Sequence, residues 1–396
     1  MGTPRQIKSV FCEYQFLLNF IDSYPKDVLV SDDGISRMKI WISIFNFLMK
    51  SELILDINIK ELNESSYDIK SSIIKKIKKR STTVGVDKFK LEFLGSQLFP
   101  YAKSLKEFDI DEVMLNSIFL TTLDDIDCKK ISNKYGILVL NLNLIFKSQK
   151  LFHDSGIPFP HESRDWDFLD LVKIGASQIN ICNSITIIDS YILSDNIIDG
   201  KKLFSFEEKI EYNIRPILTS IIPESLSSEM ELQITVISGS AKGKKKNESF
   251  SNQYNKLKDV VQSICQKRNI KFNLSVYYDW NDSFHDRVIL TNYLWIGCGH
   301  GFDIFKSNNK KCLKPTSVNV IFPFLQSTID WCDKLFIKNI RKVEVNKTAH
   351  DSIRKVWGDK DQFCYLEKYY AGDTDYKECK MVIRRGSKRM KAIDNN

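Results

Sequence analysis

The stretch Ser283-Phe284-His285-Asp286-Arg287-Val288-Ile289-Leu290-Thr291-Asn292 carries the clearest chemical signal in the chain. His285 and Arg287 are two residues apart in an apolar, β-branched run, so we expect both side chains on one face of a strand. The chain then turns at Asn292-Tyr293 and returns as Leu294-Trp295-Ile296, which brings a glycine-rich corner back beside the same pocket. An imidazole next to a fixed positive charge suits attack on a phosphodiester.

The elements before this hairpin predict an α/β layered sandwich, because strands alternate with helices. They are a buried strand at Ser184–Leu193, a helix at Phe206–Ile221, a strand at Leu232–Ile237, a helix at Asn252–Lys267 and a strand at Ile270–Tyr278.

The first part of the chain predicts a second, smaller α/β unit. Phe11–Ile21 and Ile40–Met49 have helical apolar spacing, whereas Ser51–Ile59 is typical of a strand. Ile118–Leu123 is a further strand that ends in acidic residues, and a short helix then leads to a strand at Ile137–Leu142. Such a strand–turn–helix–strand unit has a polar turn at the carboxyl end of its first strand.

These patterns divide the chain into three parts. We expect an N-terminal α/β recognition or regulatory domain at 1–170, the layered sandwich with a mixed sheet at 178–350, and a basic C-terminal extension at 351–396. The Pro-rich stretch Gly156–Trp166 is interpreted as a connector.

Composition indicates a folded protein with an acidic partner. Of the 396 residues, 43% are hydrophobic and 12% aromatic, which is ample for packed cores. The net charge of +8 favours nucleic acid as the partner, ahead of an anionic membrane, although 58 basic and 50 acidic residues also fit a solvated surface. Nine cysteines without a C-x-x-C pair argue against a zinc site or a disulfide framework and suit the reducing cytoplasm.

A basic turn follows the strand at Leu232–Ile237. We interpret it as a contact to a phosphate backbone, although a solvated loop has the same composition. Its lysines are Lys242, Lys244, Lys245 and Lys246. The cluster at Lys75–Arg80 favours a plain helix end instead, since positive charge is stabilising there.

The acidic turn of Asp124, Asp125 and Asp127 has two interpretations. It could supply metal ligands, as in magnesium-dependent nucleases of the PIN type, where acids gather at strand ends. Its acids could instead cap the following helix, and this interpretation is favoured because no partner acid lies in a recognisable motif. The candidate partner acids are Asp22, Asp32, Asp33 and Asp56.

The hairpin, written as the pattern H-x-R-x4-N-x6-G, resembles the phospholipase D superfamily motif H-x-K-x4-D-x6-G-S. His285 stands on the histidine, Arg287 on the lysine, Asn292 on the aspartate and Gly299 on the glycine, and all spacings match. His300 stands where serine is usual. The resemblance covers about residues 180 to 345 and implies catalytic roles for His285, Arg287, Asn292 and His300, with Gly299 at the phosphate.

Each departure from that motif has a physical meaning. Arg287 keeps the positive charge and adds a planar fork that suits two phosphate oxygens. Asn292 lacks the negative charge that would orient an imidazole, but an asparagine at this position also occurs in tyrosyl-DNA phosphodiesterases. His300 could protonate a leaving group or contact phosphate.

A second resemblance is closer in residue identity. His285-Asp286-Arg287, the later Trp295-Ile296 and the opening Ile185-x-Ile187-x-Asp189-x-Tyr191 are similar to the C-terminal phospholipase D-like domain of MIT-domain proteins. Those domains bind membranes or partners and are not known chiefly as enzymes. This chain has no recognisable MIT helix bundle, so we do not expect their membrane role here.

The resemblance implies two alternative functions. One is a phosphodiesterase of nuclease type that works without metal or cofactor, as a homodimer, because one motif supplies only half of a two-histidine site. Such a cytoplasmic nuclease would suit a prokaryotic antiviral-defence or DNA-processing role, alone or with a partner protein in a larger complex. The other is a non-catalytic phosphate-binding module that docks on nucleic acid, anionic lipid or a partner protein.

Overall fold

The computed structural model describes the chain in separate stretches, and all structural statements below concern these stretches. They are residues 10–25, 32–50, 53–57, 82–85, 118–147, 155–159, 181–193, 196–198, 201–228, 230–239, 246–279, 287–299, 301–302, 316–321 and 353–358.

Five parallel strands form the first sheet, in the order β3-β2-β1-β4-β5. Later strands lie on both sides of β1, so the sheet has a topological switch point between β1 and β4. The strands are β1 (Val10–Glu13), β2 (Leu53–Ile57), β3 (Thr82–Gly85), β4 (Ile118–Leu120) and β5 (Leu138–Leu140). The helices described with them are α1 (Tyr14–Asp22), α2 (Asp32–Lys50), α3 (Asp125–Tyr135) and α4 (Leu142–Lys147).

The segment from Phe11 to Ile21, expected to be one helix, begins as a strand instead. All four residues of β1 are buried, as a central parallel strand requires, and α1 begins only at Tyr14. Phe11 of β1 stacks on Phe119 of β4 with ring centroids 4.7 Å apart. This pairing of neighbouring strands explains why the apolar run at Val10 is extended rather than helical.

Eight strands form the second sheet, in the order β15-β11-β10-β7-β12-β13-β14-β6. β7, β10 and β11 are parallel to one another, whereas every other neighbouring pair is antiparallel, so the sheet is mixed. The strands are β6 (Ser155–Phe159), β7 (Ser184–Ile188), β10 (Glu231–Gly239), β11 (Lys271–Asp279), β12 (Val288–Thr291), β13 (Trp295–Cys298), β14 (Thr316–Ile321) and β15 (Ile353–Gly358). A separate two-stranded ribbon pairs β8 (Asn196–Ile198) with β9 (Lys201–Phe204). Together with the first sheet, this confirms the predicted fold class of two α/β units.

Two helical crossovers connect the parallel strands of the second sheet. Between β7 and β10 runs α5 (Phe206–Lys209), a π-helical turn (Ile210–Ile214) and α6 (Arg215–Ile221). The sequence starts this segment at Ser205, whose side chain and Glu208 form a capping box. Pro216 lies in the first turn of α6, and because it has no N–H group it favours the irregular turn before it.

The second crossover, α7 (Lys246–Lys267), joins β10 to β11 and is 22 residues long. It buries Leu257, Val260, Val261 and Ile264 on one face and leaves Asp259 exposed on another. α7 is therefore an amphipathic crossover helix. No helix in the described part of the chain is both long and apolar enough to cross a membrane.

The two sheets meet at the corner between α3 and β5. Gly136 ends α3 in the left-handed conformation at φ 64°, and a Cβ placed there would lie 2.7 Å from the carbonyl oxygen of Cys182. Beside it, the backbone N–H of Leu138 donates to the hydroxyl of Tyr293 at 3.0 Å, and the Nδ2 of Asn183 donates to the Gly136 carbonyl at 3.2 Å. The turn of the β12–β13 hairpin thus rests on the first sheet.

Two strands of the second sheet lie beyond the range of 178–350. β6 falls in the stretch interpreted as a connector, and it is instead the edge strand that pairs with β14. β15 falls in the stretch assigned to the C-terminal extension and pairs with β11. Pro158 is tolerated in β6 because an edge strand leaves one row of N–H groups unpaired. The three-part division of the chain stays a prediction.

Candidate functional site

Arg287 lies directly before β12, at the carboxyl end of β7. Val288 pairs with Ile188, the last residue of β7, and the Arg287 carbonyl accepts the backbone N–H of Cys298 at 3.0 Å. The Arg287 backbone is therefore held between β7 and the end of β13. Its side chain emerges at the edge of the sheet where α/β proteins place their ligands.

The guanidinium of Arg287 has a fixed orientation. Its Nη1 donates to the carbonyl of Gly299 at 2.9 Å, and its carbon lies 5.4 Å from the centroid of the Tyr191 ring. Its Nε is buried and has no hydrogen-bond partner within the described part of the chain. A buried donor without a partner costs about 1–3 kcal/mol, and an anionic oxygen would remove that cost with a charge-assisted bond.

Asp189 links the two loops that surround Arg287. It is 1% exposed, and its Oδ1 accepts the N–H of Tyr191 at 2.9 Å while its Oδ2 accepts the N–H of Phe302 at 2.8 Å. One carboxylate thus joins the loop after β7 to the loop after β13 that contains Gly299 and Gly301, called the glycine loop below. The orientation of Tyr191 and of the glycine loop follows from this bridge.

A buried lysine also binds the loop after β7. Lys209 of α5 is only 2% exposed, and its Nζ donates to the carbonyl of Tyr191 at 2.9 Å. The amide and the carbonyl of Tyr191 are therefore both held by charged side chains. Charge-assisted bonds of this kind are stronger than neutral ones, so the loop is well anchored.

The glycine loop needs a glycine at one position only. Gly301 has φ 98°, in the region that residues with a side chain rarely adopt, and its carbonyl accepts from the Sγ of Cys298 at 2.9 Å. Gly299 is exposed and has no atom within 4 Å of the place where a Cβ would stand. The loop therefore leaves open space beside the Gly299 carbonyl that binds Arg287.

Asn292 lies at the other end of β12 and does not face Arg287. It is 0% exposed, and its Oδ1 accepts the backbone N–H groups of Asn183 at 2.9 Å and Ser184 at 3.0 Å. Asn292 follows Arg287 by five steps along the extended chain, which corresponds to roughly 16 Å. The Asn292 amide therefore holds the start of β7, at the opposite end of β12 from Arg287, and the catalytic role expected for this residue stays a prediction.

The remaining candidate residues fall outside the described stretches. These are His285, His300, Lys242, Lys244 and Lys245, while Lys246 is the first residue of α7 and its side chain is not described. Of the predicted site residues, the structure brings together Arg287 and Gly299 and separates both from Asn292.

Three site residues were not assigned from the sequence, namely Asp189, Tyr191 and Lys209. The pattern Ile185-x-Ile187-x-Asp189-x-Tyr191 pointed to the first two, since a polar pair directly after a buried strand marks a loop at the carboxyl edge. No comparable signal marks Lys209, because a lysine in an amphipathic helix is normally solvent-exposed.

Two acids of the turn in the first sheet, Asp124 and Asp125, make structural bonds. Asp124 accepts the N–H of Asp127 at 2.8 Å as the N-cap of α3, which confirms the helix-cap interpretation for this residue. Asp125 accepts from Asn141 at 2.9 Å and pairs with Lys147 at 3.1 Å, and these hydrogen bonds hold the pKa of its carboxyl below the ordinary value. Within the described stretches no three His, Cys, Asp or Glu side chains form a group suited to a metal ion.

Glu13 occupies the switch point of the first sheet. It is 4% exposed, and it accepts from the Thr121 hydroxyl at 2.8 Å and from the Thr122 N–H at 2.7 Å. A cleft of about 520 Å³ opens beside these threonines. The carboxylate of Glu13 thus joins the carboxyl ends of β1 and β4 and forms part of the framework below the cleft.

Three of the buried cysteines are not suited to nucleophilic chemistry. Burial raises the pKa of the Cys128, Cys182 and Cys265 thiols to about 12. The thiolate is the reactive form of cysteine, so these three side chains stay protonated and inert near neutral pH.

Comparison with known proteins finds a similar family for the central part of the second unit. Residues 178–320 match the family described as the phospholipase D-like domain at the C-terminus of MIT. The match includes β7, both crossovers and the Arg287 hairpin, and it confirms the resemblance to the phospholipase D-like superfamily. A search of curated proteins returns no significant match.

Proposed function

We propose that the phospholipase D-like domain formed by residues 178–320 is a metal-independent phosphodiesterase that acts on nucleic acid, with Arg287 holding the phosphate. The observation that carries this proposal is the Arg287 guanidinium at the carboxyl edge of the sheet, oriented by Gly299 and Tyr191. Its buried Nε has no hydrogen-bond partner among the described residues. A planar cation with a preset direction suits two oxygens of one phosphate.

The charges near this edge support nucleic acid as the substrate. β10 runs parallel to β7 and ends at Gly239, so the chain that carries Lys242, Lys244, Lys245 and Lys246 leaves the sheet at the same edge as Arg287. The net charge of +8 has the sign that a polyanionic backbone requires.

The proposed chemistry uses His285 from two copies of the chain. A ring nitrogen of one His285 attacks phosphorus and forms a P–N bond while the bond to the leaving oxygen breaks, and His285 of the second copy gives that oxygen a proton. Water then attacks the phosphohistidine and gives a proton to the second imidazole. A P–O bond forms as the P–N bond breaks, and a phosphomonoester remains.

The position of Asn292 supports an active enzyme. The superfamily motif has aspartate in this position, and the loss of its charge would argue against catalysis if the side chain faced the phosphate. Asn292 instead bonds the backbone of Asn183 and Ser184 at the far end of β12. The exchange of aspartate for asparagine therefore leaves the surroundings of Arg287 unchanged.

The second candidate function is a phosphate-binding module without catalysis. Its support is that every described contact of Arg287 orients the cation for binding, and binding needs no second histidine. Under this proposal the domain docks on the phosphate groups of nucleic acid, anionic lipid or a partner protein.

One gel separates the two functions. Labelled single- and double-stranded DNA and RNA are incubated in EDTA with wild type, His285→Ala, Arg287→Ala and the control Lys271→Ala, which removes an exposed charge at the opposite edge of the sheet. The enzyme predicts cleavage by wild type and Lys271→Ala only. A shifted but intact band, lost only in Arg287→Ala, would establish the binding module, and cleavage that requires magnesium and ignores His285 would contradict the proposed chemistry.

The wider biological setting follows from the enzyme proposal. A homodimer would supply the second histidine, and a nuclease of this kind would serve cytoplasmic antiviral defence or DNA processing. Sedimentation of the wild-type chain measures the dimer directly. A monomer that still cleaves in EDTA would contradict the two-copy mechanism.

A further inference from the structure

We infer that Tyr191 is a stacking platform for a nucleobase next to the phosphate at Arg287, and that the substrate is therefore single-stranded nucleic acid. This inference rests on the proposed phosphate site and specifies which form of nucleic acid the site accepts. It concerns a residue that the motif resemblance leaves without a role.

Tyr191 combines exposure with a position beside the cation. Its side chain is 50% exposed, one of four large hydrophobic side chains that are exposed within the described stretches. The other three, Tyr24, Ile42 and Ile126, belong to the first unit. Tyr191 thus places the single exposed aromatic ring described in the second unit 5.4 Å from the Arg287 guanidinium.

The ring is held in place by its backbone. Asp189 binds the Tyr191 amide at 2.9 Å, and the buried Lys209 binds the Tyr191 carbonyl at 2.9 Å. An aromatic side chain has only two rotatable bonds, so it loses little entropy when a ligand covers it. A solvent-exposed ring on an anchored loop suits a ligand with a flat apolar face.

A base is the flat group that accompanies a phosphate. Proteins that bind single strands place aromatic rings along a positively charged groove, where bases stack on the rings and phosphates contact the cations. Tyr191 and Arg287 reproduce one such pair. In a duplex the bases are already stacked and paired, so a ring at this position gains contact only with a single strand or with an extruded base.

A supporting role for Tyr191 is the competing explanation. The ring could serve only to orient Arg287 through its cation–π contact. In that case the loss of the ring would weaken binding to every phosphate chain equally. A platform for bases instead predicts an effect that depends on whether the ligand carries a base.

The test therefore compares two ligands of equal charge. Wild type, Tyr191→Phe and Tyr191→Leu, each with His285→Ala to prevent cleavage, are titrated with a single-stranded DNA oligonucleotide and with a fully abasic oligonucleotide of the same length. We expect Tyr191→Leu to weaken binding of the normal strand about 5- to 100-fold more than binding of the abasic strand, while Tyr191→Phe keeps both affinities. Equal losses for the two strands, or no loss, would overturn the inference.

A second measurement requires no substitution at Tyr191. An oligonucleotide with a single 2-aminopurine, moved along the strand in separate syntheses, is mixed with the His285→Ala protein. Stacking on Tyr191 quenches the fluorescence at one position, and unchanged fluorescence at all positions would sink the inference. Failure of the proposed function looks different, because neither strand would then bind and Arg287→Ala would change nothing.

Discussion

The side chains of Asn292 and Asn183 are hydrogen-bonded to each other where the neighbouring strands β12 and β7 of the second sheet meet. The Nδ2 of Asn292 donates to the Oδ1 of Asn183 at 2.9 Å, while the Nδ2 of Asn183 donates onward to the Gly136 carbonyl at 3.2 Å. Asn183 cannot rotate its amide without losing the second bond, so it requires a donor at position 292. Asparagine supplies that donor and aspartate does not, which explains physically why this chain departs from the superfamily motif.

This pairing predicts that Asn292→Asp, the change toward the superfamily motif, destabilises the protein. The new carboxylate would face the Asn183 Oδ1 without a proton between them, and we expect the free energy of unfolding to fall by about 1–3 kcal/mol. Urea denaturation measures the change. Asn252→Asp, at an exposed position of α7, is the matched control and should stay within about 0.5 kcal/mol of wild type. Equal stability of the two variants would contradict the pairing.

The contact at Gly136 predicts that the addition of a single methyl group destabilises the protein. Gly136→Ala would place a Cβ 2.7 Å from the Cys182 carbonyl oxygen at φ 64°, so backbone must shift at the contact between the two sheets. We expect the free energy of unfolding to fall by about 2 kcal/mol or more, because the steric contact and the left-handed backbone of alanine each have an unfavourable energy. Gly299→Ala adds the same atom in open space and should change the unfolding free energy by less than about 1 kcal/mol. Thermal denaturation of both variants tests the contrast.

The Cys182 thiol predicts a loss of stability in alkali. Burial raises its pKa from 9.0 to about 12, so the unfolded chain releases this proton first. Stability is therefore constant below about pH 9 and falls toward pH 12, with a contribution of about 1.4 kcal/mol per pH unit from this group. Cys182→Ser keeps a small hydrogen-bond donor that does not titrate in this range. Between pH 9 and pH 12 the unfolding free energy of this variant should therefore fall less steeply than that of wild type, by about 1.4 kcal/mol per pH unit. Parallel slopes for the two proteins would show that Cys182 does not contribute.

Arg287 predicts a defined salt dependence of binding. Removal of one phosphate contact should reduce the slope of log affinity against log salt by about 0.7 for a single strand. We expect this reduction in Arg287→Ala and an unchanged slope in the exposed control Lys271→Ala. Fluorescence anisotropy over a series of salt concentrations measures both slopes, and an unchanged slope in Arg287→Ala would remove this residue from the phosphate site.

Much of the second unit could be predicted from the sequence because its elements are long and regular. The helix expected at Phe206–Ile221 corresponds to α5, the π-helical turn and α6, and the expected strands correspond to β7, β10 and β11. Short buried elements were harder to assign. Val10–Glu13 is an apolar run of four residues, and periodicity cannot distinguish such a strand from the start of a buried helix.

The surroundings of Arg287 could be predicted in part from the sequence. The return of the chain after the turn at Asn292 predicted a glycine-rich corner beside this residue, and Arg287 donates to the Gly299 carbonyl. The catalytic roles of the site residues stay predictions. The role of Asn292 depends on which end of β12 faces the ligand, and spacing along one strand carries no such information. Lys209 was missed because its burial results from packing between distant parts of the chain, beside the loop of Tyr191.

The β12–β13 hairpin joins two tasks that are far apart in space. Its turn is seated in the first sheet through Tyr293 and Leu138, and its open end carries Arg287. The four paired residues of β12 connect these two ends, so the strand that leads to Arg287 is also held to the other half of the molecule. The two units are therefore not independent of each other. Residues 178–320 alone would contain Arg287 but would lack Leu138, to which the turn of the hairpin is hydrogen-bonded.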